Sequence, residues 1–429
     1  MATENSVERT SNEKSGIVNL DWYRSLSGRS MHAFWASSLG WALDAFDYLV
    51  FSFTLTAIAI SFHLSAGQSG LISTVTLLVS AIGGVLAGTL ADRIGRVRTL
   101  ILTVTVYAVF TFLSGLAPNY LWLLIFRSIQ GLGFGGEWAA GAILVAEIAN
   151  PVQRGRVLGM VQSSWAVGWG VALIAYTIVF SFFPPEIGWR ILFCLGILPA
   201  LLVLYIRRKV REPEIFIETR RATREGSSSL IQIFRPDLIR TTILASLLAF
   251  GAQGGYYAIF TWLPTFLKSV RHLTVLNSVP YIAVVIIGSF AGYVCSGYIN
   301  DWLGRKITFG LYAVCSAILI AAYALLPAEA NSLWLLLVLG APLGFFASGI
   351  FSGFGSYLAE IYPNRARGAG QGFTYNFGRA GGAVFPSIIG FLSATIGLAG
   401  AVGFGALAYA LCIVALFFLP ETKGQPLES

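Results

Sequence analysis

Five charged side chains stand inside long apolar runs of this 429-residue chain: Asp44, Asp47, Arg127, Glu137 and Arg379. An ionised group in hydrocarbon costs about 3 kcal/mol or more unless it is paired or hydrated, so each is a functional candidate. Asp44 and Asp47 are three residues apart and share one face of a helix. Carboxylates beside an arginine can do one kind of chemistry without metal or cofactor, which is to take up and release a proton. A carboxylate paired with a guanidinium stays ionised, and one parted from it in a dry place takes a proton. Movement that makes and breaks such a pair couples protonation to conformation.

The elements that carry these charges are long helices. The chain is 56% hydrophobic and only 11% charged, whereas soluble proteins carry about 25% charged residues. Runs of roughly 20 apolar residues recur along almost its whole length, each long enough to cross a membrane as a helix. Barrel strands would alternate in short segments instead. Twelve spans are placed at 31–61, 68–92, 98–117, 120–147, 155–182, 189–209, 239–267, 277–300, 306–327, 332–361, 368–396 and 399–420. At about 1.5 Å of rise per residue, Asp47 lies about 24 Å along the first run and Arg127 about 10 Å along the fourth, which runs the other way. Both therefore fall at similar depth and are expected to pair, either as a switch or as a permanent tie between two helices. Glu137 sits about 15 Å further along the fourth run, as a second proton site or a helix contact, and Arg379 about 18 Å along the eleventh, near the midplane.

The net charge of +8 is sorted by loop rather than gathered in one patch, which sets topology and does not signal nucleic acid. Loops after even-numbered spans carry Arg93, Arg96 and Arg98, then Arg154 and Arg156, Arg305 and Lys306, and Arg365 and Arg367, while 117–119 and 327–331 carry no Lys or Arg. Both termini and the basic middle loop are therefore expected in the cytoplasm of a cell whose inner membrane holds the protein. The polar stretch 210–238 separates two groups of six spans. The expected organisation is a tail over 1–28, a six-helix bundle over 29–209, the middle loop, a second bundle over 239–420 and a tail over 421–429. The first 25 residues are polar and show no cleavable leader pattern. Cys194, Cys295, Cys315 and Cys412 are scattered singly, as small apolar packing residues are. No metal-ligand spacing is present, and the three histidines, His32, His63 and His272, are isolated near span ends. An enzyme, a metal site and a cofactor are accordingly not expected.

Two loops occur twice. Gly88-Thr-Leu-Ala-Asp92-Arg93-Ile-Gly95-Arg96 has a counterpart 209 residues later in Gly297-Tyr-Ile-Asn-Asp301-Trp-Leu-Gly304-Arg305. Ala146-Glu147-Ile-Ala-Asn-Pro-Val-Gln-Arg154-Gly-Arg156 is echoed by Ala359-Glu360-Ile-Tyr-Pro-Asn-Arg365-Ala-Arg367. Copies of each fall on the same side of the membrane, so the repeats are parallel, and such folds bind substrate near the midplane between the repeats.

These loops resemble the signature of the major facilitator superfamily, over nearly the whole chain. The stretch Arg127-Ser-Ile-Gln130-Gly131-Leu-Gly133-Phe-Gly135-Gly136-Glu137-Trp138 is similar to the fourth span of metabolite:proton and sialate:proton symporters. Trp41-Ala-Leu-Asp44-Ala-Phe46-Asp47-Tyr48 is similar to the first span of sialic-acid and lactate permeases. The fifth span, 159–176, lacks the Gly-Pro pair of drug:proton antiporters. The resemblance implies an all-α membrane protein of twelve helices in two six-helix bundles. It also supports Asp47, or Asp44, as a proton carrier paired with Arg127. The glycines at 131, 133, 135 and 136 are expected to allow close helix packing, not to cradle phosphate, which needs a strand-turn-helix setting.

The same resemblance places Trp41, Tyr48, Gln162, Ser163, Trp165, Gln253, Tyr256, Tyr257, Tyr375 and Asn376 on cavity-lining spans. Arg379 has no acidic residue at its depth in the second half, where Gln253 and Tyr256 take the places of Asp44 and Asp47. Its planar fork suits a carboxylate ligand, the alternative being a pairing across the cavity with Asp44 or Asp47. Gly88, Asp92, Arg93, Gly95, Arg96, Glu147, Arg154, Arg156, Asp301, Arg305, Glu360, Arg365 and Arg367 are expected to form a charge network that locks an inner gate. The alternative for the basic ones is contact with phospholipid. The expected function is proton-coupled import of a small organic anion, sialic-acid-like or lactate-like, by a monomer in a lipid membrane. Symport of an aromatic or dicarboxylic acid, or export, is the alternative.

Overall fold

A hydrocarbon layer offers no water to backbone N–H and C=O groups, so a chain within it must satisfy them internally, and helices do so segment by segment. The computed structural model describes residues 23, 26, 28–148, 154–210, 230–327, 333–363 and 366–423. Among them there are only α-helices and short 3-10 turns joined by brief connections.

The first bundle comprises span 1 (Gly28–Ser61), span 2 (Ala66–Ile94), span 3 (Arg96–Gly115), span 4 (Tyr120–Ile148), span 5 (Arg154–Phe182) and span 6, whose two halves (Pro185–Cys194 and Pro199–Lys209) join through a 3-10 turn. The second comprises span 7 (Ile239–Ser269), span 8 (Val275–Leu303), span 9 (Arg305–Leu325), span 10 (Leu333–Gly349, continued by Phe354–Ile361), span 11 from Arg367 and span 12 ending in Ala408–Phe418. Ten stretches of the described residues are long and apolar enough to cross a membrane, and the last of these, 369–418, runs for 50 residues. At 1.5 Å per residue that is about 75 Å, enough for two crossings of a core about 30 Å thick. It turns at Gly397, whose φ of 74° breaks the helix between spans 11 and 12. Span 4, which carries Arg127 and Glu137, completes the twelve.

Large apolar side chains point outward all round the molecule, with Phe182 78%, Phe417 74% and Trp302 73% exposed. A water-facing surface of that kind would aggregate, whereas lipid covers it. The charged residues of the spans are turned inward instead.

The repeated loops fold alike. Gly95 (φ 113°) and Gly304 (φ 99°) link spans 2 to 3 and 8 to 9 in a conformation that a Cβ would strain. Beside them, Arg96 Nη1 donates to the Ala91 carbonyl at 3.0 Å and Arg305 Nη1 to the Asn300 carbonyl at 2.9 Å. The atoms correspond under the 209-residue offset, so the repeat read from sequence is a repeat of structure.

The glycines of span 4 bring backbones together. Gly131 and Gly135 lie against the span 2 backbone at Thr76 and Ser80, and Gly133 and Gly136 face Thr103 and Tyr107 of span 3. They are packing glycines, wedged between two helices.

The two bundles meet most closely on the side away from the chain termini. Ser52 Oγ lies 2.8 Å from the carbonyls of Phe260 and Thr261, Thr56 and Thr265 hydroxyls are 3.1 Å apart, and Tyr48 shares a 2.7 Å hydrogen bond with Thr261. Ser52 and Thr261, like Thr56 and Thr265, are 209 residues apart. Equivalent residues thus touch across the axis that relates the halves. A second bundle-to-bundle contact joins Thr74 and Ser387 hydroxyls at 2.8 Å. Towards the terminal side, a methyl group added at Gly159, Gly355 or Gly372 would meet nothing within 4 Å.

Gly135→Ala puts a methyl group into the Ser80 backbone. Overpacking of this kind destabilises by about 1–3 kcal/mol, so the melting temperature in detergent falls. Gly159→Ala, which enters open space, leaves it level or higher.

Candidate functional site

Asp47 is the most heavily satisfied acid in the membrane. Its Oδ2 accepts from Arg127 Nη1 at 3.0 Å and from Gln130 Nε2 at 2.6 Å, and its Oδ1 accepts from the Thr111 hydroxyl at 2.7 Å. Both charged residues are almost fully buried. The Arg127 guanidinium also stacks over Phe51 at 4.9 Å and faces Phe193 at 5.6 Å. Spans 1, 3 and 4 thus converge on one carboxylate, and the pairing expected from depth is present. Gln130 and Thr111 were not among the expected site residues. Gln130 lies three residues after Arg127, on the same helical face, and that spacing was available as a signal; Thr111 was visible only once span 3 was in place.

Asp44 and Glu137 are also buried, one turn deeper towards the termini. Their side chains interact with each other. Gly40, one turn before Asp44, leaves the space into which Glu137 Oε1 projects, which is a second contact the sequence did not announce. Glu137 is therefore a neighbour of span 1, not an isolated charge.

Arg379 enters from the other bundle. It is buried, with its guanidinium 5.2 Å from the centroid of Phe134 of span 4 and 5.5 Å from that of Tyr375. Its charge acts on Asp44, on Glu137 and on Tyr257. Its Nε and Nη1 have no hydrogen-bond partner. A buried guanidinium with unspent donors is suited to grip an incoming carboxylate.

Aromatic rings form the walls. Trp41 and Trp165 lie 4.9 Å apart, Tyr48 lies 5.8 Å from Tyr257, and Phe134 stacks on Tyr48 at 6.3 Å. Trp165 Nε1 donates to the Tyr256 hydroxyl at 2.7 Å, tying span 5 to span 7 across the bundle interface. Of the polar candidates, Gln253 is engaged at both ends of its amide, by the Tyr375 carbonyl at 2.9 Å and the Tyr257 hydroxyl at 3.3 Å. Asn376 donates to the Gly372 carbonyl and keeps an unpartnered Oδ1. Gln162 is half-buried, and Ser163 donates to the Met160 carbonyl within its own helix.

Two further arginines near the far side, Arg190 and Arg271, donate to the carbonyl ends of spans 3 and 9, at Gly115 and Ala117 and at Leu326 and Pro327. They satisfy helix C-termini, whose dipoles favour a cation, and stand apart from the aromatic walls.

Two of the residues expected in a gate network meet. Arg305 forms a forked pair with Glu360, at 3.2 Å and 3.0 Å. Glu421 accepts from the backbone N–H groups of Arg305 and Lys306, each at 2.9 Å, closing the start of span 9 with the end of the chain. Partial burial works against ionisation of Glu421, but the backbone donors around it outweigh that and hold its carboxyl below the usual range. Gly88 lies within span 2, and the side chains of Asp92, Arg93, Glu147, Arg154, Arg156, Asp301, Arg365 and Arg367 lie outside the described residues.

The comparisons agree with this geometry. The family model of the Major Facilitator Superfamily matches residues 37–329 and 303–429. A probable 4-methylmuconolactone transporter of Cupriavidus pinatubonensis is 41% identical over 409 residues, covering 95% of this chain and 94% of the relative. A niacin transporter of Acinetobacter baylyi is 31% identical, covering 92% and 95%, and a sialic acid transporter of Escherichia coli is 29% identical, covering 88% and 91%. A solved D-xylose-proton symporter superposes with a TM-score of 0.72 at 21% identity, covering 93% of this chain and all of the other. Twelve spans in two related bundles, repeated glycine-arginine loops and family match together make this chain a member of the major facilitator superfamily, a multi-pass membrane transporter and not an enzyme.

Proposed function

We propose that this chain imports a small, planar unsaturated or ring-bearing carboxylate together with protons, by alternating access of the midplane site. The observation that carries the reading is the setting of Arg379: a buried guanidinium with unpartnered donors, facing Phe134 and Tyr375, with Phe134 in turn packed against Tyr48 and Trp165 and Tyr48 against Tyr257. The charge suits one carboxylate and the flat walls suit a conjugated or cyclic skeleton. A polyhydroxylated sugar acid needs many polar partners, whereas Gln253 spends its amide on its own bundle. This favours the aromatic-acid alternative over a sialic-acid-like or lactate-like substrate. The relatives named for methylmuconolactone and niacin support the same choice.

Proton coupling is supported by the cluster of buried carboxyls on spans 1 and 4 beside the arginines. Import is the direction in which an inward proton gradient drives symport, and the sorted loop charges favour termini and a loop of Arg305 and Glu360 in the cytoplasm of a cell whose inner membrane holds the transporter. The contacts of Ser52, Thr56 and Thr74 then close the outer face. On the inner face, the Arg305–Glu360 fork belongs to a network whose other members are Asp92, Arg93, Arg96, Glu147, Arg154, Arg156, Asp301, Arg365 and Arg367. It steadies the loops between spans while the bundles rock. Basic members of the network also meet anionic lipid, and the transporter works as a monomer, since both bundles and the whole site lie in one chain.

Purified protein in proteoliposomes with an inwardly directed proton gradient tests the reading, given separately labelled nicotinate, muconate, benzoate, sialic acid and lactate. A planar acid is expected to accumulate and to leave when a protonophore is added. Accumulation of sialic acid or lactate alone overturns the substrate assignment, and uptake of a planar acid indifferent to the protonophore overturns the coupling. In Arg379→Lys the charge remains and the fork is lost. One charge-assisted hydrogen bond is worth about 1.5–3 kcal/mol, so the apparent affinity falls roughly 10- to 100-fold while the amount of folded protein holds. Unaltered affinity assigns Arg379 to the scaffold.

A further inference from the structure

Asp44 and Glu137 stand where neither has a reason to be ionised alone. Among the described residues, neither oxygen of Asp44 and not Oε1 of Glu137 has a hydrogen-bond partner, though all are buried. The two side chains nevertheless meet. An ionised carboxylate only accepts hydrogen bonds, so two of them in contact repel each other, and one proton converts the contact into an O–H···O bond. The chain makes room for that contact. A Cβ at Gly40 would overlap Glu137 Oε1, and one at Gly141 would lie 3.6 Å from it.

The groups that face the pair are few. Asp47 lies on the same helix, the Tyr107 hydroxyl of span 3 has no partner, and Arg379 of span 11 acts on both carboxyls. Asp47 is already occupied by Arg127, Gln130 and Thr111. Among the described residues, the buried charged groups around the midplane are therefore Asp44, Asp47, Glu137, Arg127 and Arg379, three acids against two bases. A proton on the Asp44–Glu137 pair makes the sum zero, which a low-dielectric site favours strongly. An acid anion drawn onto Arg379 makes it negative again, and a second proton restores neutrality.

We propose that Asp44 and Glu137 share one proton when the transporter is empty and take up a second, one for one, when a monocarboxylate binds Arg379, so that the loaded and the empty site are both neutral. The pair is then the proton site and the Asp47–Arg127 pair is a clamp that stays closed. This inference rests on the symport reading above. Its reciprocal form is that the acid raises the affinity for the proton and the proton raises the affinity for the acid, by the same factor.

Two measurements test it, one of which needs no transport. Infrared difference spectra of the substrate-free protein, in detergent at neutral pH, should show the carbonyl band of a protonated buried carboxyl. The band is expected to vanish in both Asp44→Asn and Glu137→Gln, because an amide can donate to the remaining carboxylate and the charge sum is then zero without a proton. Absence of the band from the wild type, or its survival in either variant, overturns the shared proton. These spectra decide the matter even if no tested acid is transported, an outcome that would count against the symport reading alone. In proteoliposomes, a gradient of one pH unit should drive about tenfold accumulation of the transported acid, as one-for-one symport requires, and an imposed membrane potential should add nothing. The double variant Asp44→Asn with Glu137→Gln should still exchange labelled for unlabelled acid but reach only an accumulation ratio of one. Proton-driven accumulation retained by the double variant, or wild-type accumulation that follows the potential, overturns the proposal.

Discussion

The buried bond between Asp47 and Arg127 is the contact on which the arrangement of the first bundle depends. A charge on one side of it alone would be intolerable, since removing one partner of a buried pair leaves the other uncompensated at about 3–5 kcal/mol. Its position at 3.0 Å, with Gln130 and Thr111 filling the other acceptor sites, fixes the register of spans 1, 3 and 4 against one another. Once that register is set, the rest of the first bundle's site follows. Asp44 falls one turn below Asp47, Glu137 arrives ten residues below Arg127, and Gly40 opens the space where the two carboxyls meet. The span 4 glycines permit the close packing against spans 2 and 3 that holds this register.

The second bundle repeats the frame and changes the contents. Under the 209-residue offset, Asp44 becomes Gln253 and Asp47 becomes Tyr256. The amide of Gln253 is consumed by Tyr375 and Tyr257, and the Tyr256 hydroxyl accepts from Trp165 of the first bundle. Neutral hydrogen bonds thus replace the ion pair and the free carboxyl. Arg379 is left as the one buried cation of the second bundle facing the midplane among the described residues, since Arg271 is spent on carbonyls at a span end. The division of charge between halves, acids in one and a spare guanidinium in the other, follows from different residues at equivalent positions of one frame. Across the midplane each half supplies what the other lacks.

Much of this was legible in the sequence, and the reasons are physical. Apolar runs must be long to cross a bilayer, so twelve crossings stood out, including the pair joined at Gly397 that a length count alone would merge. The repeated Gly-Arg loops were legible because a positive φ tolerates little else and because the arginine caps a carbonyl five residues back. Depth arithmetic brought Asp47 to Arg127 because helical rise is constant. Azimuth was harder. Whether Glu137 turned towards span 1, or Gln253 inward to its own bundle, depends on how helices rotate against one another, which rests on side-chain packing and not on periodicity. Gly40 illustrates the limit, since nothing in its neighbourhood distinguishes a glycine that admits a carboxylate from one that admits a helix.

The contrast between contacts within and between bundles explains how such a molecule can move without coming apart. Within the first bundle, glycines set helix against helix with backbone contacts that no small shift can relieve, and a buried ion pair forbids separation. Between the bundles, the side away from the termini is held by hydroxyl groups: Ser52, Thr56, Tyr48 and Thr74 with Thr261, Thr265 and Ser387. Hydrogen bonds of this kind inside a membrane are worth about 0.6 kcal/mol each, at most about 2. Several of them sum to an amount that binding can overcome, and none leaves a bare charge when broken. The Ser52–Thr261 and Thr56–Thr265 contacts join equivalent residues about the axis that relates the halves. The contacts that join the bundles on that side are therefore weak and neutral, while the ion pair of Asp47 and Arg127 lies within one bundle.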